Sequence, residues 1–180
     1  MHGIVFEELR EYVWRTHGAE EWTVLLNAAA PGRRFYAPDT GYPDEELEAL
    51  LAEISKRTGA RRGELLRKFG GFVAPTLLDL YRPLVSQEWN LLDLLEHVEE
   101  TIHRVVRLDD PSAAPPRLRV ERPDEGRVIV HYDSERRMCD LAKGIVLGLQ
   151  KEYAQEVVIT DLACMLNGDA ECTIEIATVA

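Results

Sequence analysis

The stretch Val128-Ile129-Val130-His131-Tyr132-Asp133-Ser134-Glu135-Arg136 decides the fold. Val128, Val130 and Tyr132 recur at every second position, the period of a β-strand with one buried face. Upstream, Leu118 and Val120 alternate in the same way across a turn at Asp124-Glu125-Gly126, so the spacing predicts a hairpin. If the extended backbone continues, Tyr132, Ser134 and Arg136 all project to one side. They offer two hydroxyls and a guanidinium fork, a donor set suited to carboxylates or phosphates. From the first to the third is roughly 13 Å along a strand, enough to serve two separate carboxylates.

Downstream, Arg137 to Tyr153 reads as a helix, with Gly144 and Gly148 at i, i+4 leaving room for a close neighbour. Glu156 to Cys164 and Cys172 to Thr178 read as two more strands, joined at Asn167-Gly168-Asp169. Upstream, a linker from Asp109 to Pro116 containing Pro111, Pro115 and Pro116 separates this region from a helical one. Ile4, Val5, Leu9, Tyr12 and Val13 recur at helical spacing up to His17-Gly18, and Glu20 to Ala30 forms a second helix. Tyr42-Pro43-Asp44-Glu45-Glu46 opens a third with proline and acidic residues, and Thr58-Gly59 ends it. A further helix spans about Arg62 to Phe69, and Gly70-Gly71 is expected to break it before Phe72 to Leu84. Asn90 to Val106 reads as one longer helix. Helices, hairpin, helix and hairpin in that order predict an α+β fold with a four-stranded antiparallel sheet.

The chain has 180 residues, enough for one domain or two closely packed subdomains with a core able to enclose a ligand. Its net charge of −11, with no basic stripe, disfavours binding to a nucleic-acid backbone. No apolar run approaches the ~18 residues of a membrane span, and no secretory signal opens the chain. Three cysteines, an odd number, argue against a secreted disulfide framework, so a cytoplasmic protein is expected.

Of the five histidines, His103 draws most attention. On the Asn90 to Val106 helix it falls about 100° from the centre of the apolar stripe, at its edge, while His97 lies roughly 140° away on the polar face. His2 and His17 stand at element ends, and His131 points away from Tyr132. Haem carries two propionates and an iron that takes an axial ligand such as histidine, so His103 with Tyr132, Ser134 and Arg136 is a candidate haem site. Read locally, the same residues also fit a boundary histidine and a strand end with Ser134 capping the next helix.

The chain resembles the H-NOX (haem-nitric oxide/oxygen binding) domains, bacterial gas sensors related to the haem domain of soluble guanylate cyclase. The resemblance covers essentially all of it. It rests on Met1-His2-Gly3-Ile4-Val5, the Tyr42 to Glu46 helix entry, Thr58-Gly59 and Glu64-Leu65-Leu66-Arg67-Lys68-Phe69-Gly70. It continues through Ile102-His103 and Pro115-Pro116-Arg117-Leu118 to the family's Tyr-x-Ser-x-Arg signature at Tyr132, Ser134 and Arg136. The resemblance implies a single domain over residues 1–180, with a helical distal part to about residue 60 and an α+β proximal part from about residue 61. Between these a haem b would be held, with His103 as its axial ligand. Tyr132, Ser134 and Arg136 would bind the propionates, and Pro116 would press on the porphyrin.

Oxygen-binding members carry a distal tyrosine where this chain has Leu141, and Leu9 and Val73 occupy the positions expected to support it. An apolar distal pocket lacks the donor that favours oxygen, which implies a five-coordinate ferrous haem that binds NO and CO and excludes oxygen. The expected role is a sensor and not an enzyme. Gas binding opposite His103 would loosen the histidine and bias a packing equilibrium read by a separate protein, typically a histidine kinase or diguanylate cyclase. Cys139, Cys164 and Cys172 resemble three cysteines that hold a structural zinc in part of the family, and the position expected to supply the fourth ligand is Asp161. Reduced structural thiols or a redox-active Cys164–Cys172 pair are the other readings. The alternative function is a haem-free ligand-binding or zinc/thiol redox-sensing module on the same fold.

Overall fold

A computed structural model describes residues 1–110 and 113–179; Pro111 of the expected linker falls outside the described residues. The chain divides into two compact units, Met1–Phe69 and the remainder from Gly70 onward.

The first unit is helical. Helix α1 (Gly3–His17) buries Phe6, Leu9, Tyr12 and Val13, a stripe at the 3.6-residue period. It ends where Gly18 adopts φ 94°, a conformation open to glycine at little cost. Helix α2 (Ala19–Ala29) follows at once. Helix α3 (Asp44–Thr58) carries three acidic residues in its first turn and two basic ones in its last, which complements the helix dipole. Its stripe of Leu47, Leu50, Leu51 and Ile54 is buried as expected, and Gly59 closes it in the left-handed conformation. Tyr36 stacks on Phe6 at 4.1 Å between ring centroids, which anchors the loop after α2. Its hydroxyl donates to Glu46 at 2.9 Å, and Arg33 reaches the same carboxylate through two nitrogens at 3.1 and 2.5 Å.

Helix α4 (Arg62–Tyr81) runs without interruption through Gly70, Gly71 and Pro75, so the expected break at Gly70-Gly71 does not occur. These glycines serve packing. Within the second unit, a Cβ on Gly70 would lie 2.4 Å from the Leu141 carbonyl oxygen, so the backbones of α4 and helix α7 (Cys139–Glu152) come too close there for any other residue. A Cβ on Gly148 would meet Ala74 Cβ at 2.4 Å and the Gly71 carbonyl at 2.7 Å. Pro75 lacks the N–H that the Gly71 carbonyl would otherwise accept. The room at Gly144 and Gly148 is therefore filled by α4.

The expected helix from Asn90 to Val106 is continuous from Leu91 onward, but its winding changes within it. Helix α5 (Leu91–Val98) starts at a capping box, in which Asn90 and Asp93 each accept the other's backbone N–H at 3.0 Å. A π-turn spans Glu99–His103, and helix α6 (Arg104–Asp109) follows. Strands β1 (Arg117–Asp124), β2 (Arg127–Asp133), β3 (Val157–Ala163) and β4 (Cys172–Thr178) form one antiparallel sheet in the order β1-β2-β4-β3. Both expected hairpins are present and β2–β4 joins them, so the α+β reading holds. Val128, Val130 and Tyr132 from β2 and Ile174 and Ile176 from β4 pack in one core with Leu91, Leu92, Leu94 and Leu95 of α5 and Val146 and Leu149 of α7.

The Arg33–Glu46–Tyr36 cluster gives the first unit a measurable pH dependence. The Arg33 guanidinium holds Glu46 below the ordinary glutamate range, against the opposing effect of burial and with help from the Tyr36 hydroxyl. A carboxyl depressed in the folded state stabilises it above the unfolded value, and that contribution disappears as pH falls through the folded value. Glu46→Gln should therefore cost about 1 kcal/mol at pH 7, discounted for the partial exposure of Arg33. The gap to the parent protein in urea melts should close below about pH 4.

Candidate functional site

His103 ends the π-turn, and its side chain is 16% exposed. Part burial agrees with the edge position that helical counting gives it, while the turn itself shifts the phase of the residues beyond it by roughly 100°. Its Nδ1 donates to Glu99 Oε2 at 3.0 Å, and the Pro116 carbonyl is a further acceptor for the ring. Burial pushes its pKa below the ordinary histidine value, against the pull of Glu99 and Pro116, so the imidazole is neutral near pH 7. A neutral imidazole is the form that ligates a metal. His97, by contrast, is exposed, donates to the Asp93 carbonyl at 2.8 Å and stacks on Trp89.

Tyr132 is the last inward-facing residue of β2 and is 3% exposed. The strand ends at Asp133, so Ser134 and Arg136 lie in a turn and the alternation that put all three on one extended edge stops short of them. The turn closes with the Arg137 N–H on the Ser134 carbonyl at 3.1 Å, and Arg137 takes φ 52°. Helix α7 starts at Cys139, and Met138 stands at its N-cap, so Ser134 caps no helix. The turn nevertheless gathers the three side chains. Ser134 and the Met138 N–H both donate to the Tyr132 hydroxyl oxygen, while burial raises the phenol pKa. Ser134 Oγ also accepts the Arg136 N–H at 3.3 Å.

One short segment joins these groups to His103. The Arg136 guanidinium donates to the Ala114 carbonyl. Two residues later Pro116 faces the His103 ring. Leu118 pairs with Tyr132 in the β1–β2 ladder, and its N–H donates to Glu99 at 3.2 Å. Ala114 to Leu118 is thus tied to the π-turn along one side and to the Tyr132–Arg136 turn along the other. His103, Pro116, Tyr132, Ser134 and Arg136 form one neighbourhood within the second unit.

Leu9 is buried on α1, within the first unit. In the second unit, Val73 is buried on α4 and Leu141 is half-buried on the first turn of α7, beside Gly70. None of the three side chains can donate a hydrogen bond.

Cys139, Cys164 and Cys172 are buried and reduced, with all three sulfurs within 4.8 Å of one another. Cys139 and Cys164 are 3.8 Å apart, Cys164 and Cys172 3.7 Å. Burial pushes the Cys139 and Cys172 thiols up. Asp161 does not join them, although a ladder irregularity does intervene between Asp161 and Ala163. Its carboxylate takes the Lys143 ammonium at 2.7 Å, and Asp140 lies 3.4 Å from the same nitrogen. Lys143 is 3% exposed. Burial opposes its charge, but these carboxylates raise its pKa above the ordinary value.

Two residues that the sequence reading passed over complete the neighbourhood. Glu99 and Arg107 stand four positions before and after His103, and Arg107 donates to Glu99. The i, i+4 spacing Glu99–His103–Arg107 was the available signal, since it puts acid, imidazole and base on one helical face.

A family model described as haem-NO-binding matches residues 2–161. Soluble guanylate cyclase gcy-32 of Caenorhabditis elegans is 24% identical over 175 residues, 93% of this chain and 25% of that protein. Guanylate cyclase soluble subunit beta-2 of Homo sapiens is 31% identical over 85 residues, 47% of this chain and 14% of that one. The chain thus spans a quarter or less of the length of these curated relatives. Among solved structures, an H-NOX protein from S. oneidensis in the Fe(II)NO ligation state superposes with a TM-score of 0.94 at 24% identity, covering 100% of both chains. The Fe(II) unliganded H-NOX protein from K. algicida gives 0.89 at 22% identity, covering 100% of this chain and 97% of that one. These likenesses show that the fold is shared.

Proposed function

Because the chain belongs to the haem-NO-binding (H-NOX) family, we propose that it holds a haem b through His103 and works as a nitric oxide sensor. The observation that carries this reading is a neutral, half-buried imidazole with Nδ1 committed to Glu99, tethered through Ala114–Leu118 to Tyr132, Ser134 and Arg136. The donor set fits haem. With Nδ1 engaged, Nε2 of His103 is the nitrogen for iron, and two hydroxyls and a guanidinium suit the propionates. Pro116, which faces the His103 ring, is the residue assigned to the porphyrin contact. Haem, when bound, would supply an iron able to take a diatomic gas.

The gas preference rests on the three residues assigned to the distal side. A polar distal pocket favours oxygen by donating a hydrogen bond, and Leu9, Val73 and Leu141 have no donor to give. We therefore assign binding of NO and CO and exclusion of oxygen. In this reading the chain is a sensor without catalytic residues of its own, located in the cytoplasm. Its output passes to a separate protein, a histidine kinase or a diguanylate cyclase. The net charge of −11 suits a protein partner better than nucleic acid. No helix among the described residues is long and apolar enough to cross a membrane.

A second, smaller reading concerns the thiols. Three sulfurs within 4.8 Å supply three of the four ligands of a tetrahedral zinc site, and among the described residues no carboxylate or imidazole joins that cluster. A zinc ion there would take its fourth ligand from elsewhere, because the Asp161 carboxylate is committed to Lys143.

Three measurements test these assignments. Reconstitution with hemin followed by reduction should give a Soret band that shifts on adding NO, and His103→Gly should lose it unless imidazole is supplied. No band in the parent protein would favour the haem-free module, and an unaltered band in His103→Gly would move the ligand elsewhere. Leu141→Tyr should raise oxygen affinity at least tenfold, the effect of about 1.4 kcal/mol from one added hydrogen bond; unchanged affinity would overturn the distal assignment. Elemental analysis should find one zinc per chain, lost in Cys139→Ser; a metal-free parent protein would leave the trio as structural thiols.

A further inference from the structure

Glu99 opens the π-turn that His103 closes, and its carboxylate is where three elements meet. Oε2 accepts the His103 Nδ1–H at 3.0 Å and the Leu118 N–H of β1 at 3.2 Å. Oε1 accepts the Arg107 guanidinium from α6. The Glu99 side chain is 21% exposed, and its two oxygens take donors from the π-turn, α6 and β1 at once. A carboxylate paired with a guanidinium is a stronger acceptor than a backbone carbonyl, so its contact with Nδ1 decides which imidazole nitrogen keeps its proton. The same chemistry recurs wherever a ligating histidine gives its other N–H to a carboxylate: the ring orientation is fixed and the ligand becomes more basic.

We propose that Glu99 is a positioning residue for His103, fixing the tautomer that presents Nε2 to iron and strengthening the iron–histidine bond, with Arg107 as the cation that moderates its effect. This rests on the reading of His103 as the iron ligand. Two consequences have opposite signs. Removing the charge of Glu99 makes His103 a weaker donor, so the iron–histidine bond weakens and the ferrous state is favoured. Removing Arg107 leaves the carboxylate unopposed, so the bond strengthens and the ferric state is favoured. A role confined to holding the π-turn against β1 moves stability in both variants and gives no such pair of opposed shifts.

The test uses the haem-loaded full chain with Glu99→Gln, Arg107→Gln and His103→Gly. In Glu99→Gln the iron–histidine stretching band of the ferrous protein should shift to lower frequency and the ferric/ferrous midpoint potential should rise. In Arg107→Gln both should move the other way. Arg107 is 37% exposed, so its variant keeps the question open to measurement even if Glu99→Gln fails to fold. If His103→Gly loses the stretching band while neither glutamine variant moves band or potential, Glu99 is structural only and the inference falls alone. If His103→Gly keeps the parental band, the ligand lies elsewhere and both readings fall.

Discussion

A half-buried carboxylate has to collect donors or give up its charge, and Glu99 collects three. They come from the π-turn, α6 and β1, so meeting the needs of one side chain pins a helix to the edge of a sheet. Ala114 to Leu118 is held against that junction, with the Arg136 guanidinium fastening its other end. Electrostatics and backbone geometry therefore act together. The sheet places Leu118 opposite Tyr132, the carboxylate draws the histidine-bearing turn to Leu118, and the tyrosine's turn brings the arginine back to Ala114.

Behind this neighbourhood the second unit is stiffened by a close approach of α4 and α7. Gly70 and Gly148 admit backbone where a methyl group would clash, and Pro75 leaves the Gly71 carbonyl without its helical donor on the side facing α7. Glycine and proline each disfavour a helix interior in isolation. Here they are retained because the packing of two helices outweighs the local cost. Leu141, the residue on which the proposed gas preference turns, sits at this contact, its own carbonyl facing Gly70. The side chain assigned to the gas pocket is thus carried on backbone that lies in close contact with α4.

Much of the fold was legible in the sequence, for identifiable reasons. The leucines and isoleucine of α3, the glycines that close α1 and α3, and the alternation in β2 and β4 all reflect local periodicity, which any chain must obey to bury one face. The readings that failed depended on longer-range competition. Gly70-Gly71 looked like a break because propensity is local, whereas the gain from α7 comes from residues some 70 positions away. Asn90 to Val106 looked uniform because a π-turn leaves its residues the same and alters only their phase. The Tyr132–Ser134–Arg136 spacing implied one straight edge, and the strand in fact stops at Asp133. The three side chains still gather, through a turn.

The sequence by itself determined the α+β order, the antiparallel hairpins, the family resemblance and the identity of the candidate ligand residues, because each depends on residue type and spacing along the chain. The tertiary structure decided which polar groups share a partner. It sent Asp161 to a buried Lys143 and away from the thiols, and it gave His103 a carboxylate that the reading of its neighbours had not singled out. Spacing names the residues that could meet. Which carboxylate a buried cation or imidazole takes depends on desolvation and hydrogen-bond geometry, and these exist only once the elements are packed.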